Sequence, residues 1–222
     1  ASRLGGNVTF ITRVGNDIFG EQALQHFKKE GIRTDYIISD PQHPSGVALI
    51  TVDSNGENTI VVAQGSNGAL SPDDVQKAVV EFDQIEILLM QLEIPLETVV
   101  FAAKLAKYRG KKVILNPAPA MALPAELLGY LHIITPNKTE TEMLTGFKIN
   151  DIHSTKMAAE KISEKGVPNV IITLGSQGAY IYNDDGGRLI PTPEVKAVDT
   201  TAAGDVFNGA LAVAISEGEG LD

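Results

Sequence analysis

Apolar residues come in two rhythms along the middle of this chain. The run "EILLMQL" (86–92) is continuous and fits a strand buried on both faces. "IPLETVVFAAKLAKYRG" then repeats apolar residues at spacings of three and four and predicts a helix. Pro95 suits its first turn and Gly110 its end. "KKVILNPAPA" predicts a strand stopped by prolines, and "LHIITPN" predicts another. "KTETEMLTG" predicts a short helix ending at Gly146. "STKMAAEKISEKG" predicts an amphipathic helix with Ser154 as N-cap and Gly166 beyond its end. "NVIITLG" returns to strand. This alternation predicts an α/β fold: a mostly parallel central sheet, helices on both faces, and right-handed crossovers.

Two stretches break the rhythm. "SGVALITVDSNGENTIVVAQG" (45–65) reads as two β-rich runs around Ser54-Asn55-Gly56, a strong hairpin signal. It fits no βαβ unit, so an appended lid is expected. "AYIYNDDGGRLIPTPEV" (179–195) predicts a second hairpin turning at Asp184-Asp185-Gly186-Gly187. The expected organisation is one domain over residues 1–222, with 45–65 as the lid. The chain opens like a helix tail, a Gly-Gly turn and a strand, and closes just after a helix. It is expected to be a piece of a longer protein.

Composition narrows the chemistry. With 222 residues, 43% of them hydrophobic, the chain can bury a sizeable core. A net charge of −10 argues against nucleic acid, whose phosphates call for clustered Lys and Arg. The densest basic spots, "FKKEG" and "YRGKK", read as solvated helix ends. Absence of cysteine excludes disulfides, thiolate zinc sites and a cysteine nucleophile. Four histidines (His26, His43, His132, His153) lie far apart and show no metal-ligand spacing. No apolar run reaches membrane-spanning length, so a soluble, cytoplasmic protein without membrane partners is expected.

In open parallel sheets, ligands bind beyond the carboxyl ends of the strands. The residues there are Glu93, Asn116, Asn137, Gly175 and the run "DTTAAGD" (199–205). That run precedes "VFNGALAVAI" and opens a helix near Gly204, with apolar positions at 206, 207, 210, 211, 213, 214 and 215. First-turn amides lack partners inside a helix, and the small Ala202, Ala203 and Gly204 would let an anion approach them. Asp205 beside them would take the proton of a hydroxyl attacking a phosphoryl group, as a small-molecule kinase requires. The plainer alternative is that Asp205 complements the helix dipole and Asp199 is a cap. Asn137 and Glu140 face one side of a helical turn. They fit either hydrated magnesium near phosphates or an ordinary capping box. Gly175 and Gly178 in "TLGSQGAY" fit backbone against a nucleotide, or a plain hairpin turn. Glu93 fits hydrogen bonding to a polyol, or the first turn of the next helix.

Taken together and in this order, these stretches resemble the ribokinase family of carbohydrate kinases. "VDTTAAGDVFNGAL" resembles the family's C-terminal signature, "TPNKTETEMLTG" its Asn-x-x-Glu segment, and "ITLGSQGAY" its nucleotide-binding turn. "VGNDIFG" resembles its Gly-Asp-Asp-like loop, with Asn16 in the first acidic slot. "LLMQLEIPLE" and "VILNPAPA" resemble the family's ribose-specific branch more than its fructose or adenosine branches. The resemblance implies ATP-dependent, magnesium-dependent phosphorylation of D-ribose at O5. Asp205 would be the base, and Ala202, Ala203 and Gly204 the anion hole. Asn137 and Glu140 would organise magnesium and triphosphate. Thr173, Gly175, Ser176 and Gly178 would border the nucleotide, and Glu93 would touch the ribose. Asp199 and Thr201 match positions that help bind a monovalent cation such as K⁺. The hairpin 45–65 would close over the sugar and pair two subunits into a homodimer. The resemblance also implies a sugar-binding N-terminal segment and an adenine-flanking C-terminal one beyond this stretch. Two alternatives stand beside this reading: a kinase for another sugar or a nucleoside, and a non-catalytic nucleotide- or sugar-binding module.

Overall fold

The structure is a computed structural model that describes residues 1–52, 58–193, 195, 200 and 202–221. Its contacts group into two compact units: Ser2–Glu81 with Glu93–Thr98, and Ala1 with Phe82–Leu92 and Val99–Asp222.

In the first unit a 3₁₀ turn (Ser2–Leu4) leads to strand β1 (Thr9–Gly15), helix α1 (Ile18–Lys29) and strand β2 (Arg33–Asp40). β1 and β2 pair in parallel, a βαβ unit. Strands β3 (Val47–Val52) and β4 (Asn58–Ala63) form the antiparallel hairpin foreseen for 45–65, with Leu49 opposite Val61. The expected turn at Ser54-Asn55-Gly56 lies outside the described residues. Helix α2 (Pro72–Lys77) follows, and the short α3 (Glu81–Gln84) starts at the last residue of this stretch, with Phe82 onward in the second unit.

Hydrogen bonds knot the root of the hairpin. Asp17 caps α1 by accepting the Gly20 N–H at 2.9 Å, and it also accepts the Ser45 N–H and hydroxyl, both at 2.7 Å. The Ser45 amide in particular holds this carboxyl below its ordinary range. Backbone packs on backbone there. A Cβ on Gly46 would come within 2.7 Å of the Gln64 carbonyl, and one on Gly65 would strike the Pro44 carbonyl. Nearby, Arg13 donates to Asp40 and Asp74, each at 2.8 Å, and both acids are buried. The Gln42 N–H, Arg13 and His43 hold Asp40 well below the carboxylate range despite burial. Burial opposes ionisation of Asp74, but donors from Lys77, Ser71 and Arg13 prevail and push it down to about 2.

The second unit runs β5 (Ile87–Met90), α4 (Leu96–Tyr108, begun in the first unit), β6 (Lys112–Leu115), α5 (Ala125–Tyr130), β7 (Ile133–Ile134) and α6 (Lys138–Thr145). It continues through α7 (Ile152–Ser163), β8 (Asn169–Thr173), β9 (Ala179–Asn183), β10 (Gly186–Ile190) and α8 (Ala203–Ser216). The sheet order is β10-β9-β8-β7-β6-β5, parallel from β5 to β8 and antiparallel from β8 to β10. This is the α/β class read from the sequence. Ile114, Ile133 and Ile171 form one buried face, packed against Ile215, Phe207 and Leu211 of α8. The alternate positions Val113, Leu115, Ile134, Val170 and Ile172 are buried too. Strands buried on both faces need continuous apolar runs, and each such side chain contributes roughly 1.5–3 kcal/mol.

Four local expectations change. The N-cap of α7 is Asp151, not Ser154. Ser154 is its reciprocal partner three residues on, where Asp151 Oδ1 accepts the Ser154 N–H at 2.7 Å. The strand in "LHIITPN" is only two residues long, because the chain turns at Thr135-Pro136 into α6. Val206, counted with the apolar stripe of α8, is 69% exposed. The second hairpin turns on Asp184-Asp185 alone, with Gly186 and Gly187 paired in β10.

Candidate active site

The carboxyl ends of β5, β6, β7 and β8 lie along one edge of the second unit, since those strands are parallel neighbours. Gln91 follows β5, Asn116 follows β6, Thr135 to Asn137 follow β7, and Leu174–Gly175 follow β8. The start of α8 joins this edge through two polar contacts. Thr135 donates its hydroxyl to Asn208 Oδ1 at 2.7 Å, and Asn208 Nδ2 donates to the Gly204 carbonyl at 2.9 Å. Both side chains are buried, so they peg the first turn of the helix to the end of β7.

Among the described residues no side chain caps that first turn. The N-cap is Ala202, which has no group to offer. Its backbone is left-handed, with φ 58° and ψ 14°, the one positive-φ residue other than glycine among those described. Such a conformation costs an alanine about 1–2 kcal/mol, and strain of this kind gathers at functional sites. The Ala203 N–H donates to the Thr200 carbonyl at 3.2 Å, and the Val206 N–H donates to Ala202 at 2.9 Å. The amides of Gly204 and Asp205 have no acceptor within the helix by its geometry. Residues 202–206 are all exposed. Asp205 accepts a hydrogen bond from Gln91 Nε2 on Oδ1 at 2.8 Å.

α6 begins differently. Asn137 Oδ1 accepts the Glu140 N–H at 2.9 Å. Glu140 in turn accepts the Asn137 N–H at 2.7 Å and its Nδ2–H at 2.8 Å. This is a complete capping box, one of the two readings open from the sequence. Burial raises the Glu140 carboxyl above its usual range. Beside it, the Thr173 N–H donates to the Pro136 carbonyl at 2.9 Å, and Thr173 bridges to Asn137 in parallel. Leu174 and Gly178 close the following turn, with Gly175 and Ser176 exposed on it. Gly178 has φ 100°, and a Cβ there would strike the Ile190 carbonyl, so the hairpin itself already demands glycine.

The structure thus brings Asp205, Gly204, Ala203, Ala202, Asn137, Glu140, Thr173, Gly175, Ser176 and Gly178 to one unit. Glu93 falls in the other unit, where it is exposed. Asp199 and Thr201 lie outside the described residues. Among the described residues no cluster of three or more His, Asp or Glu is arranged to hold a metal, and no helix is long and apolar enough to cross a membrane. Sequence reasoning missed Gln91, Thr135 and Asn208. Gln91 left one trace, a polar residue near the end of the stretch 86–92 at the ligand edge.

The pattern that defines the pfkB family carbohydrate kinases matches residues 1–222. A ribokinase of Haemophilus influenzae is 44% identical over 222 residues, 100% of this chain and 72% of that protein. A deoxyribokinase of Salmonella typhi is 37% identical, covering 96% of this chain and 70% of its own. The structure of Arabidopsis thaliana ribokinase complexed with ribose and ATP superimposes with a TM-score of 0.92 at 31% identity, over 99% of this chain and 72% of that one. With signature, sheet and relatives in agreement, this chain belongs to the pfkB family of carbohydrate kinases and is an ATP-dependent sugar kinase of the ribokinase type.

Proposed function

We propose that this kinase transfers the γ-phosphoryl group of ATP to O5 of D-ribose. Asp205 takes the proton of the O5 hydroxyl as O5 bonds to the γ-phosphorus. The bond from that phosphorus to the β–γ bridging oxygen breaks, and ADP leaves. The Gly204 and Asp205 amides, with Ala202 and Ala203 shaping the turn, receive the charge that develops on the phosphoryl oxygens. Removing one such donor typically costs about 10²–10³ in rate. The observation that carries this reading is the bare start of α8. An uncapped, strained, exposed first turn holds a carboxylate at its third position.

Asn137, Glu140, Thr173, Gly175, Ser176 and Gly178 border the nucleotide along the same edge. Magnesium, when bound, neutralises the triphosphate. Glu140 suits a water-mediated contact rather than direct ligation, since both its oxygens already accept hydrogen bonds. Asp199 and Thr201 bind a monovalent cation, and Glu93 binds the sugar. Residues 1–222 act as one ribokinase-like domain in the cytoplasm, with hairpin 45–65 as lid. The lid pairs two subunits, supported by cross-strand partners Leu49 and Val61, which are 69% and 62% exposed.

The test is Asp205→Asn in a coupled ADP-release assay. Turnover should collapse while the KM for ATP stays nearly constant, and near-native turnover refutes the base. The deoxyribokinase relative favours a second reading, in which 2-deoxyribose is the acceptor. A panel of D-ribose, 2-deoxyribose, fructose and adenosine decides by kcat/KM.

A further inference from the structure

We infer that Gln91 is a positioning residue for the Asp205 carboxylate, an inference that rests on Asp205 being the base. The two residues are 114 positions apart, on different elements. Gln91 is half-buried at the first position after β5, and Asp205 stands exposed in the first turn of α8. An acid at the third helical position has a default occupation. It folds back onto the N-cap amide, as Glu140 does onto Asn137 in α6. Asp205 does not do this. Its Oδ1 is taken by the Gln91 amide, and among the described residues Oδ2 accepts no hydrogen bond. The pull of Gln91 therefore does two things. It keeps the carboxylate off its own helix, and it fixes the carboxylate plane so that Oδ2 presents a lone pair to an incoming hydroxyl.

The donor's chemistry suits this task. A lysine or arginine would also hold the carboxylate, but its charge would lower the basicity that proton abstraction needs. A neutral amide orients with less of that penalty, and it cannot itself compete for the proton. The pegs from Thr135 and Asn208 fix the helix, and the Gln91 contact fixes the side chain.

The experiment is Gln91→Leu, which removes the donor and keeps the bulk, assayed in the complete enzyme with D-ribose and magnesium ATP. The expected result is a fall in kcat of about threefold to tenfold, the scale of one solvent-exposed hydrogen bond or a small misplacement. Both KM values should stay within about twofold. In the Asp205→Asn background the same change should cost nothing further, because there is no base left to orient. Gln91→Glu, which keeps the shape but sets acceptor against acceptor, should reduce kcat at least as much. It serves if the leucine variant does not fold. Unchanged kcat in both variants, with Asp205→Asn inactive, overturns the inference and leaves the base standing. A loss expressed in KM alone, or repeated in full in the Asp205→Asn background, overturns it as well. Near-native turnover of Asp205→Asn removes the base and this inference together.

Discussion

Two helices of the same unit start at the same sheet edge and are built in opposite ways. α6 is sealed, since Asn137 and Glu140 satisfy each other's backbone and side-chain groups. α8 is left open behind a strained alanine, and its third-position acid is drawn away by Gln91. A sealed start stabilises its helix and leaves a ligand only water-mediated contact with its acid. An open one gives up that stabilisation and keeps amides and a carboxylate available. The contrast separates a scaffold role from a chemical one better than the residue types do, since both starts carry an acid at the same helical position.

The contrast can be tested at both ends. The largest effect should be Asp205→Asn, a loss of about 10²–10⁴ in kcat with little change in melting temperature. Asn137→Ala should instead act on stability, at about 1–2 kcal/mol, or a few degrees in Tm by thermal melting. Native-like melting there would mean the seal contributes nothing. Ala202→Gly should release the left-handed strain and raise stability by up to about 1 kcal/mol, since glycine adopts that conformation freely. A lower Tm would contradict the strain. The smallest effect is a pH dependence. Burial raises the folded carboxyl of Glu140, so its protonated form is the one folding favours. The advantage of wild type over Glu140→Gln should be complete below the ordinary glutamate value of about 4.3 and lost as pH rises through the raised value. Urea titrations of both proteins across that window measure it, and a gap that widens with pH reverses the sign.

Much of this was legible in advance, and the failures have physical causes. The runs that became β6 and β8 were readable because strands covered on both faces must be apolar throughout; β5 was read the same way, but as the edge strand it is only partly buried and Leu89 is exposed. The true cap of α7 was missed because Asp151 and Ser154 are both capable caps and bond reciprocally, so three residues of register were undetermined. Val206 misled because only part of the apolar stripe of α8 meets the core: Phe207, Leu211 and Ile215 pack there, and Val206 is exposed. The strain at Ala202 leaves no mark in composition. Gln91 and Asp205 meet only once the sheet has formed, and no local pattern encodes a contact across 114 residues.

The glycine-locked root of the β3–β4 hairpin bears on redesign. Gly46 and Gly65 leave no volume for any side chain, and Asp17 staples the adjoining Ser45 to the start of α1. Splicing a longer or shorter arm into this scaffold therefore has to be done outboard of those two glycines. A graft cut inside them would lose the anchor that aims the arm.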